Sequence, residues 1–293
     1  MSLVQHIIDA LNLGSLYALF ALGIALIFGV LKLINFAHGT LIMAGAYVLL
    51  LTPEWPWALR IVATIVAVIA LALLTERVAF RPLRNAGGET LLVTSFAVNY
   101  LIVNLVILIW TSSPQSTSIA SIFDKSVEIN GLVISWVNII TIVTATVLLA
   151  LTASWLRWTT AGLHIRAAAE DFTTARILGV RANRVVFMAF AASGLLASAG
   201  SILIVARTGT IEPNMGIGPV LVAFVATVLG GLGSLGAAVL ASYFLAAIQT
   251  ALLVLLPLGV RSFTEAITYL LVFAILVVRP TGFVRVSSSK VRF

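Results

Sequence analysis

The sequence has no cysteine and very little charge. Without cysteine the chain has no disulfide framework, no thiolate metal site and no cysteine nucleophile. Charged residues make up 9% of its 293 residues, against about 25% in ordinary soluble domains. A soluble protein needs a polar exterior, and 61% hydrophobic residues are more than one core can enclose. The sequence therefore predicts that much of the folded surface faces lipid.

Apolar runs close to the ~20 residues that cross a bilayer divide the chain. There are nine of them, two of which are short: 7–30, 36–52, 57–75, 91–111, 132–156, 185–206, 219–232, 236–256 and 263–278. They predict that 1–293 is a single transmembrane domain, an all-α polytopic integral membrane protein with about 8–9 spans, some of them broken or short. The first run lacks a basic segment before it, which indicates a retained helix rather than a secretory signal peptide.

The net charge of +7 is concentrated in three stretches. Residues 76–90, 157–184 and 279–293 hold three, five and four of the 17 Lys and Arg. By the positive-inside rule these stretches face the cytoplasm, and even numbers of runs separate them, as a shared side requires. The same parity places the loop 112–130 outside. It also places the N-terminus outside, unless the break at 33–39 is re-entrant. The basic charge thus indicates membrane topology rather than nucleic-acid binding.

Several chemical motifs are absent from the sequence. It contains no G-x-x-x-x-G-K-[ST], no H-E-x-x-H and no G-x-S-x-G, and no cluster of intramembrane carboxylates that would couple an ion gradient. A membrane enzyme is poorly supported, and any energy for uphill transport must enter from another chain. Residues 231–236 match G-x-G-x-x-G, the pattern of dinucleotide-binding sites. No strand precedes them, so a dinucleotide site is not expected here. Gly231 and Gly233 are interpreted either as part of a pathway or hinge, or as plain close packing of two helices.

Polar residues inside the apolar runs are the other candidates for a transport pathway. Asn35 and His38 interrupt the first two runs, and Ser95 and Asn99 lie four residues apart on one helical face. Hydrogen bonding between helices is the default interpretation of such residues, and lining of a polar path is the alternative. Glu265 is the one acid well inside a run. An arginine four residues before it suggests an ion pair, and a pathway role is again the alternative.

The basic stretch 157–184 is too long and too charged to be a simple turn. Residues 166–177 predict a short amphipathic helix, which Gly162 precedes and Gly179 follows. The apolar side of this helix consists of Ala168, Phe172, Ala175 and Leu178, and the charged side consists of Arg166, Glu170, Asp171 and Arg176. Such a helix binds either lipid head groups or another protein. The two acids favour a protein, because anionic head groups repel them.

Five segments in this order resemble the membrane-spanning permeases of the high-affinity branched-chain amino acid ABC importers: 35–39, 76–84, 166–180, 228–234 and 279–283. The resemblance extends from about residue 5 to 284. It implies a multi-pass permease subunit of a bacterial inner membrane that is not itself an enzyme and holds no cofactor. It further implies a second homologous permease, two cytoplasmic ATPases that bind ATP and Mg, and an extracytoplasmic substrate-binding protein.

The resemblance also implies a role for 157–184. This stretch is similar to the coupling segment that seats in a groove of the ATPase, and its most recurrent positions match Glu170, Asp171 and Gly179. The full set of residues expected in coupling is Arg166, Glu170, Asp171, Ala175, Leu178 and Gly179. The set expected along the solute path is Asn35, His38, Ser95, Asn99, Gly231, Gly233 and Glu265.

The sequence departs from the family pattern on the run 91–111. Phe96 stands where these permeases typically carry Gly, and Leu101 to Asn104 replaces a Leu-Gln-Asn run. The solute is therefore either a branched-chain or related amino acid, or urea or a short amide. A stand-alone channel or gradient-driven carrier, which needs no ATPase, is a further alternative.

Overall fold

The computed structural model describes residues 3–84, 86–117, 126–129, 132–279 and 282–283. Eleven α-helices make up most of this part of the chain. They are α1 (Leu3–Leu31), α2 (His38–Leu51), α3 (Trp57–Thr75), α4 (Gly88–Ile109), α5 (Trp136–Trp158), α6 (Thr160–Glu170), α7 (Phe172–Ile177), α8 (Ala182–Thr208), α9 (Ile217–Gly230), α10 (Leu235–Leu255) and α11 (Thr264–Val278). A π-helical turn, Glu76–Phe80, continues α3, and a 3-10 turn, Leu258–Phe263, leads into α11.

Each of the nine predicted apolar runs overlaps one α-helix of the structure. Within the described residues, seven helical segments are long and apolar enough to cross a membrane. The other two apolar helices, α2 and α9, have 14 residues each, which is about 21 Å at 1.5 Å per residue, against about 30 Å of hydrocarbon. The protein is thus a multi-pass α-helical membrane protein in which two of the apolar helices are short.

Helix α1 is the centre of the fold. Of its most apolar stretch, 89% is buried inside the protein, against 17% for α4 and for the segment containing α11. Helices α5, α8, α9 and α10 pack around α1, and α2 and α3 pack together on α8. Outward-facing leucines and valines on the peripheral helices are the surface that the composition predicts for a protein in lipid.

The described parts of the three basic stretches lie at one end of the helix bundle; residues 85, 280–281 and 284–293 lie outside the described residues. Arg84 Nη1 donates to Asn183 Oδ1 at 2.7 Å, and Lys32 Nζ donates to the carbonyl oxygen of Ala169 at 2.6 Å. The amide of Phe283 donates to the carbonyl oxygen of Leu229 at 2.8 Å. We call this end, with residues 32, 76–84, 160–181, 230–235 and 282–283, the basic end. The contacts agree with the shared side that parity predicts.

Short strands occur where the sequence predicted either loop or helix. Gln115–Ser116 (β1) pairs antiparallel with Thr210–Ile211 (β4), and Ser126–Ile129 (β2) pairs with Leu132–Ser135 (β3). The predicted run 132–156 is therefore wrong at its start, because α5 begins at Trp136 with Ser135 as its N-cap. Of the predicted outer loop 112–130, residues 118–125 and 130 lie outside the described residues.

Candidate pathway and coupling segment

The break between α1 and α2 is buried and folds back on itself. Asn35 is 1% exposed, and its Oδ1 accepts a hydrogen bond from the amide of Ala37 at 3.1 Å. This bond satisfies a backbone donor that lies just before α2, where a helix leaves its first amides without partners. The side chain of Asn35 thus holds the turn that reverses the chain after Lys32.

Ser95 and Asn99, on one face of α4, contact this break and the first turn of α2. The amide of Phe36 donates to Ser95 Oγ at 3.3 Å, and Thr40 Oγ1 donates to Asn99 Oδ1 at 2.8 Å. The ring of Phe36 stacks on Phe96 with 4.3 Å between centroids. The structure therefore brings Ser95 and Asn99 together with the segment that holds Asn35 and His38, and it adds an aromatic pair that includes the unusual Phe96.

His38 is completely buried at the start of α2. Its Nδ1 lies 3.1 Å from Ser193 Oγ of α8, and its Nε2 has no hydrogen-bond partner among the described residues. A Cβ at Gly23 would lie 2.6 Å from His38 Cε1, so α1 approaches the imidazole closely. Ser193 was not singled out from the sequence, since a serine in a long apolar helix carries no local signal of a partner 155 residues away.

The two short helices begin at the same place. A Cβ at Gly39 would lie 2.8 Å from the carbonyl oxygen of Gly216, the residue just before α9, and a Cβ at Gly216 would collide with the backbone of Gly39. Short apolar segments in transporters commonly mark the solute path. The two short apolar runs were the feature of the sequence that pointed to this contact. Gly216 itself was not singled out from the sequence.

Gly231 and Gly233 lie at the basic end, away from Asn35 and His38. They form the turn between α9 and α10 with φ of +106° and +103°, which is the left-handed region that favours glycine. Gly233 lines a cavity of about 270 Å³ together with Lys32, Arg166 and Glu170. The two glycines expected on the solute path are thus neighbours of the predicted coupling segment.

Glu265 is exposed in the first turn of α11, far along the chain from the other candidates. In the described part of the chain it forms no ion pair with Arg261. Arg261 instead donates through Nε to the carbonyl oxygen of Leu256 at 3.2 Å. The i,i+4 ion pair suggested by the sequence is therefore not present in this structure.

The predicted helix 166–177 is wrong as a single element. The segment forms α6 and α7, which are separated at Asp171, and α6 begins after Thr159 rather than after Gly162. Thr159 Oγ1 caps α6 by accepting from the amide of Gly162 at 3.0 Å. Gly179, with φ +91°, follows α7 as the sequence predicted. The break arises because a capping side chain starts a new helix within the apolar stripe.

Asp171 is the N-cap of α7. Its Oδ2 accepts from Thr174 Oγ1 at 2.6 Å, and its Oδ1 accepts from the amides of Thr173 and Thr174, each at 2.9 Å. The hydrogen bonds from the hydroxyl and the amide of Thr174, with a smaller contribution from Thr173, lower the pKa of Asp171 below its ordinary value. Asp171, although exposed within the most basic stretch, thus has a structural role as a helix cap.

One side of α6 and α7 is packed and the other is open. Ala168 and Ala175 are 2% and 4% exposed, whereas Ile177 and Leu178 are 80% and 79% exposed. Arg166, Glu170, Asp171 and Arg176 are exposed as well. Leu178, which was predicted on the packed side with Phe172, therefore points away from the bundle together with Ile177.

A basic cavity of about 950 Å³ adjoins this segment. The arginines that line it are Arg81, Arg84, Arg176, Arg181 and Arg184. Arg84 Nη2 donates to Glu76 Oε1 at 2.5 Å, and the Glu76 side chain is buried. Burial lowers the pKa of Arg84, and the Glu76 carboxylate acts in the opposite direction. This ion pair anchors the loop after α3 at the basic end.

No group of three His, Asp or Glu that could hold a metal ion occurs among the described residues. The described chain is instead an apolar helix bundle with polar residues at its internal breaks and a folded, charged segment at one end. These features define a polytopic α-helical membrane protein.

Comparison with known proteins identifies the family. Residues 6–279 match the model of the branched-chain amino acid transport system permease component, and the chain belongs to this family. It is 29% identical over 296 residues to the high-affinity branched-chain amino acid transport system permease protein LivH of Salmonella typhimurium, covering 95% of this chain and 94% of the relative.

Two further relatives extend the comparison. The permease protein BraD of Pseudomonas aeruginosa, from a high-affinity branched-chain amino acid transport system, is 29% identical over 300 residues and 95% of this chain. The autoinducer 2 import system permease protein LsrC of Photorhabdus luminescens is 33% identical over 127 residues, which cover 41% of this chain and 38% of LsrC. No solved structure matches the chain significantly.

Proposed function

We propose that this chain is the permease subunit of an ATP-driven importer that moves branched-chain or related amino acids across a bacterial inner membrane. Its partners are a second homologous permease, two cytoplasmic ATPase subunits that bind ATP and Mg, and an extracytoplasmic substrate-binding protein. The family match over 6–279 and the similarity to LivH and BraD support the permease role and the amino-acid solute.

The observation that carries the proposal is the exposed pair Ile177 and Leu178. Two large apolar side chains, each about four-fifths exposed, project from a charged segment outside the spanning helices. Adjacent exposed apolar groups on a charged segment mark a contact with protein or membrane, and the acids Glu170 and Asp171 beside them favour a protein. Asp171 fixes the start of α7 and Gly179 its end, so the pair is presented on an ordered turn that a groove in an ATPase can hold.

The coupling segment is joined to the bundle by contacts that can transmit its motion. Lys32 Nζ binds the carbonyl oxygen of Ala169, and the Gly231–Gly233 turn lies across a small cavity from Glu170. From that turn α9 extends to Gly216, which touches Gly39 of α2. Displacement of the coupling segment by ATP-driven closure of the ATPases would thereby reach the crossing of the two short helices.

The residues around that crossing are the proposed solute path. Asn35, His38, Ser95 and Asn99 supply the polar groups, with Phe36 and Phe96 as an apolar wall. Gly231 and Gly233 act as the hinge at the basic end, and Glu265 belongs to the opposite end. A site with few polar groups and apolar walls suits an amino acid with a branched aliphatic side chain.

Uptake into proteoliposomes tests the proposal. The chain is reconstituted with its co-expressed partner subunits, and ATP-driven uptake of radiolabelled leucine is measured with leucine or urea as competitor. Leucine competition and strict ATP dependence are expected. Competition by urea alone would assign the solute to the amide class, and uptake by this chain without ATP would identify a channel or gradient-driven carrier.

Charge-reversal variants locate the coupling. Glu170→Lys together with Asp171→Lys is expected to abolish ATP-driven uptake while the protein remains in the membrane. Glu89→Lys reverses another exposed acid near the basic end and is the matched control. Uptake by the double variant equal to that of the control would remove the coupling role from this segment.

A further inference from the structure

The end of the bundle opposite to the basic end contains a cavity of about 660 Å³. It lies between the first turns of α1, the start of α5, the last turns of α8 and α10, and the 3-10 turn before α11. Its volume is within the roughly 300–1,000 Å³ of small-molecule sites. None of the residues expected on the solute path or in coupling lines it.

Asn12, one of the residues that line this cavity, is a buried amide whose oxygen has no partner among the described residues. Asn12 is 3% exposed, and its Nδ2 donates to Asn138 Oδ1 at 2.8 Å. Its Oδ1 has no hydrogen-bond partner among the described residues. A buried polar atom without a partner destabilises the free protein, so a ligand that donates to this oxygen gains a bond that the free protein lacks.

Charges of both signs line the same cavity. Asp9 is one turn before Asn12 on α1, where its Oδ1 accepts from Gln5 Nε2 at 3.3 Å. Arg207 and Arg261 approach from α8 and from the 3-10 turn. Neither arginine forms an ion pair with a described residue. The cavity therefore offers acceptors for a cation on the α1 side and guanidinium groups for an anion on the other.

The remaining wall is apolar. Leu13, Leu253 and Val254 border the cavity between its polar parts. An aliphatic chain placed against them is removed from water, and this burial favours binding in proportion to the apolar area covered. A neutral polar solute such as urea would gain nothing from this wall and would leave the arginines without an anion.

We propose that this cavity is a binding site for a zwitterionic α-amino acid with an aliphatic side chain. The ammonium group is bound by Asp9 and Asn12 Oδ1, the carboxylate by Arg207 and Arg261, and the side chain by the apolar wall. The proposal deepens the proposed function, on which it rests, because it gives this chain a solute site of its own at the end where a binding protein would deliver its cargo.

Binding by the purified full-length chain in lipid nanodiscs tests the site. Radiolabelled leucine is displaced with leucine, with 4-methylpentanoate, which lacks the ammonium group, with 3-methylbutylamine, which lacks the carboxylate, and with urea. Leucine is expected to compete best, each single-charge analogue at least about tenfold more weakly, as the loss of a charged hydrogen bond predicts, and urea not at all.

Two variants separate the two charges. Asp9→Asn is expected to weaken the binding of leucine and of 3-methylbutylamine about tenfold and to leave the binding of 4-methylpentanoate unchanged. Arg207→Gln is expected to weaken the binding of leucine and of 4-methylpentanoate about tenfold and to leave that of 3-methylbutylamine unchanged. Glu54→Gln and Arg157→Gln remove charges outside the cavity and are the matched controls. No leucine binding, or an equal effect of the controls, would overturn the site.

The last measurement repeats leucine binding in nanodiscs of two lipid compositions. Phosphatidylethanolamine carries a zwitterionic head group, so nanodiscs are prepared with and without it. Leucine binding that disappears when this lipid is present would show a head-group site and overturn the amino-acid site. ATP-driven uptake and its loss in the Glu170→Lys, Asp171→Lys variant are separate readouts, so the cavity proposal can fail while the importer function stands.

Discussion

The hydroxyl of Thr174 donates to Asp171 Oδ2 at 2.6 Å and closes the first turn of α7. This acid of the proposed coupling segment is thus a helix cap as well as a charge. Because its pKa is lowered in the folded protein, the cap is fully present above the ordinary pKa of aspartate. It is lost only as the pH falls through the lower, folded value.

This double role separates two substitutions of Asp171. Asp171→Asn keeps an oxygen that caps α7, whereas Asp171→Ala removes it at a cost of about 1 kcal/mol. ATP-driven leucine uptake is expected to survive largely in Asp171→Asn and to fall severalfold in Asp171→Ala, with faster proteolysis near residue 177. Equal loss in both variants would assign the role to the charge instead of the cap.

The same segment shows what the sequence could and could not predict. The helix 166–177 followed from the spacing of Ala168 and Ala175, which are indeed buried. The break at Asp171 was not predicted, although Asp is one of the residues preferred at a helix N-cap. Spans and the shared basic end followed from composition and charge, since both depend on the lipid environment rather than on particular contacts.

Long-range contacts account for most of what the sequence could not predict. The i,i+4 spacing of Ser95 and Asn99 placed them on one face, but their partners come from residues 36–40, about 60 positions earlier. The contact between Gly39 and Gly216 depends on how two short helices cross. Periodicity predicts which face of a helix is buried and carries no information about the element that covers it.

The crossing of α2 and α9 is expected to tolerate no side chain at Gly216. A methyl group there collides with the backbone of Gly39, which cannot move aside as a flexible side chain can. Gly216→Ala should lower stability by about 1–3 kcal/mol, measured as thermal unfolding by tryptophan fluorescence in detergent. Gly218→Ala adds the same methyl into open space and should be neutral. A neutral Gly216→Ala would contradict the close approach.

The turn at Gly233 is expected to be limited by its backbone rather than by space. A Cβ at this position meets no atom within 4 Å, but φ is +103°. Gly233→Ala should therefore cost about 1–3 kcal/mol and slow uptake. Gly236→Ala, also in open space and with no positive φ, should be neutral or slightly stabilising. The same melting and uptake assays apply, and identical behaviour of the two variants would exclude backbone strain.

The buried carboxylate of Glu76 is expected to be the acid at the basic end that matters most for stability. Glu76→Gln leaves the largely buried side chain of Arg84 without its anion. Breaking a buried pair in this way costs about 3–5 kcal/mol, so the yield of monodisperse protein should fall sharply. Glu89→Gln changes an exposed acid and should melt like the wild type. A wild-type melting temperature for Glu76→Gln would show that water already screens the pair.

Substitution of Ser193 tests whether His38 serves only packing or also contacts the solute where α2 and α9 meet. The imidazole is held by Ser193 Oγ at 3.1 Å, and its Nε2 has no partner within the described part of the chain, so it is oriented for a further bond. Ser193→Ala should lower stability by about 1–3 kcal/mol. If Nε2 meets the solute, the same variant also raises the KM for leucine severalfold, because the ring is no longer fixed. Ser198→Ala removes another fully buried hydroxyl from α8, which donates to the carbonyl oxygen of Leu195 in its own helix, and should leave KM unchanged. A less stable Ser193→Ala protein with wild-type KM would assign His38 to packing alone.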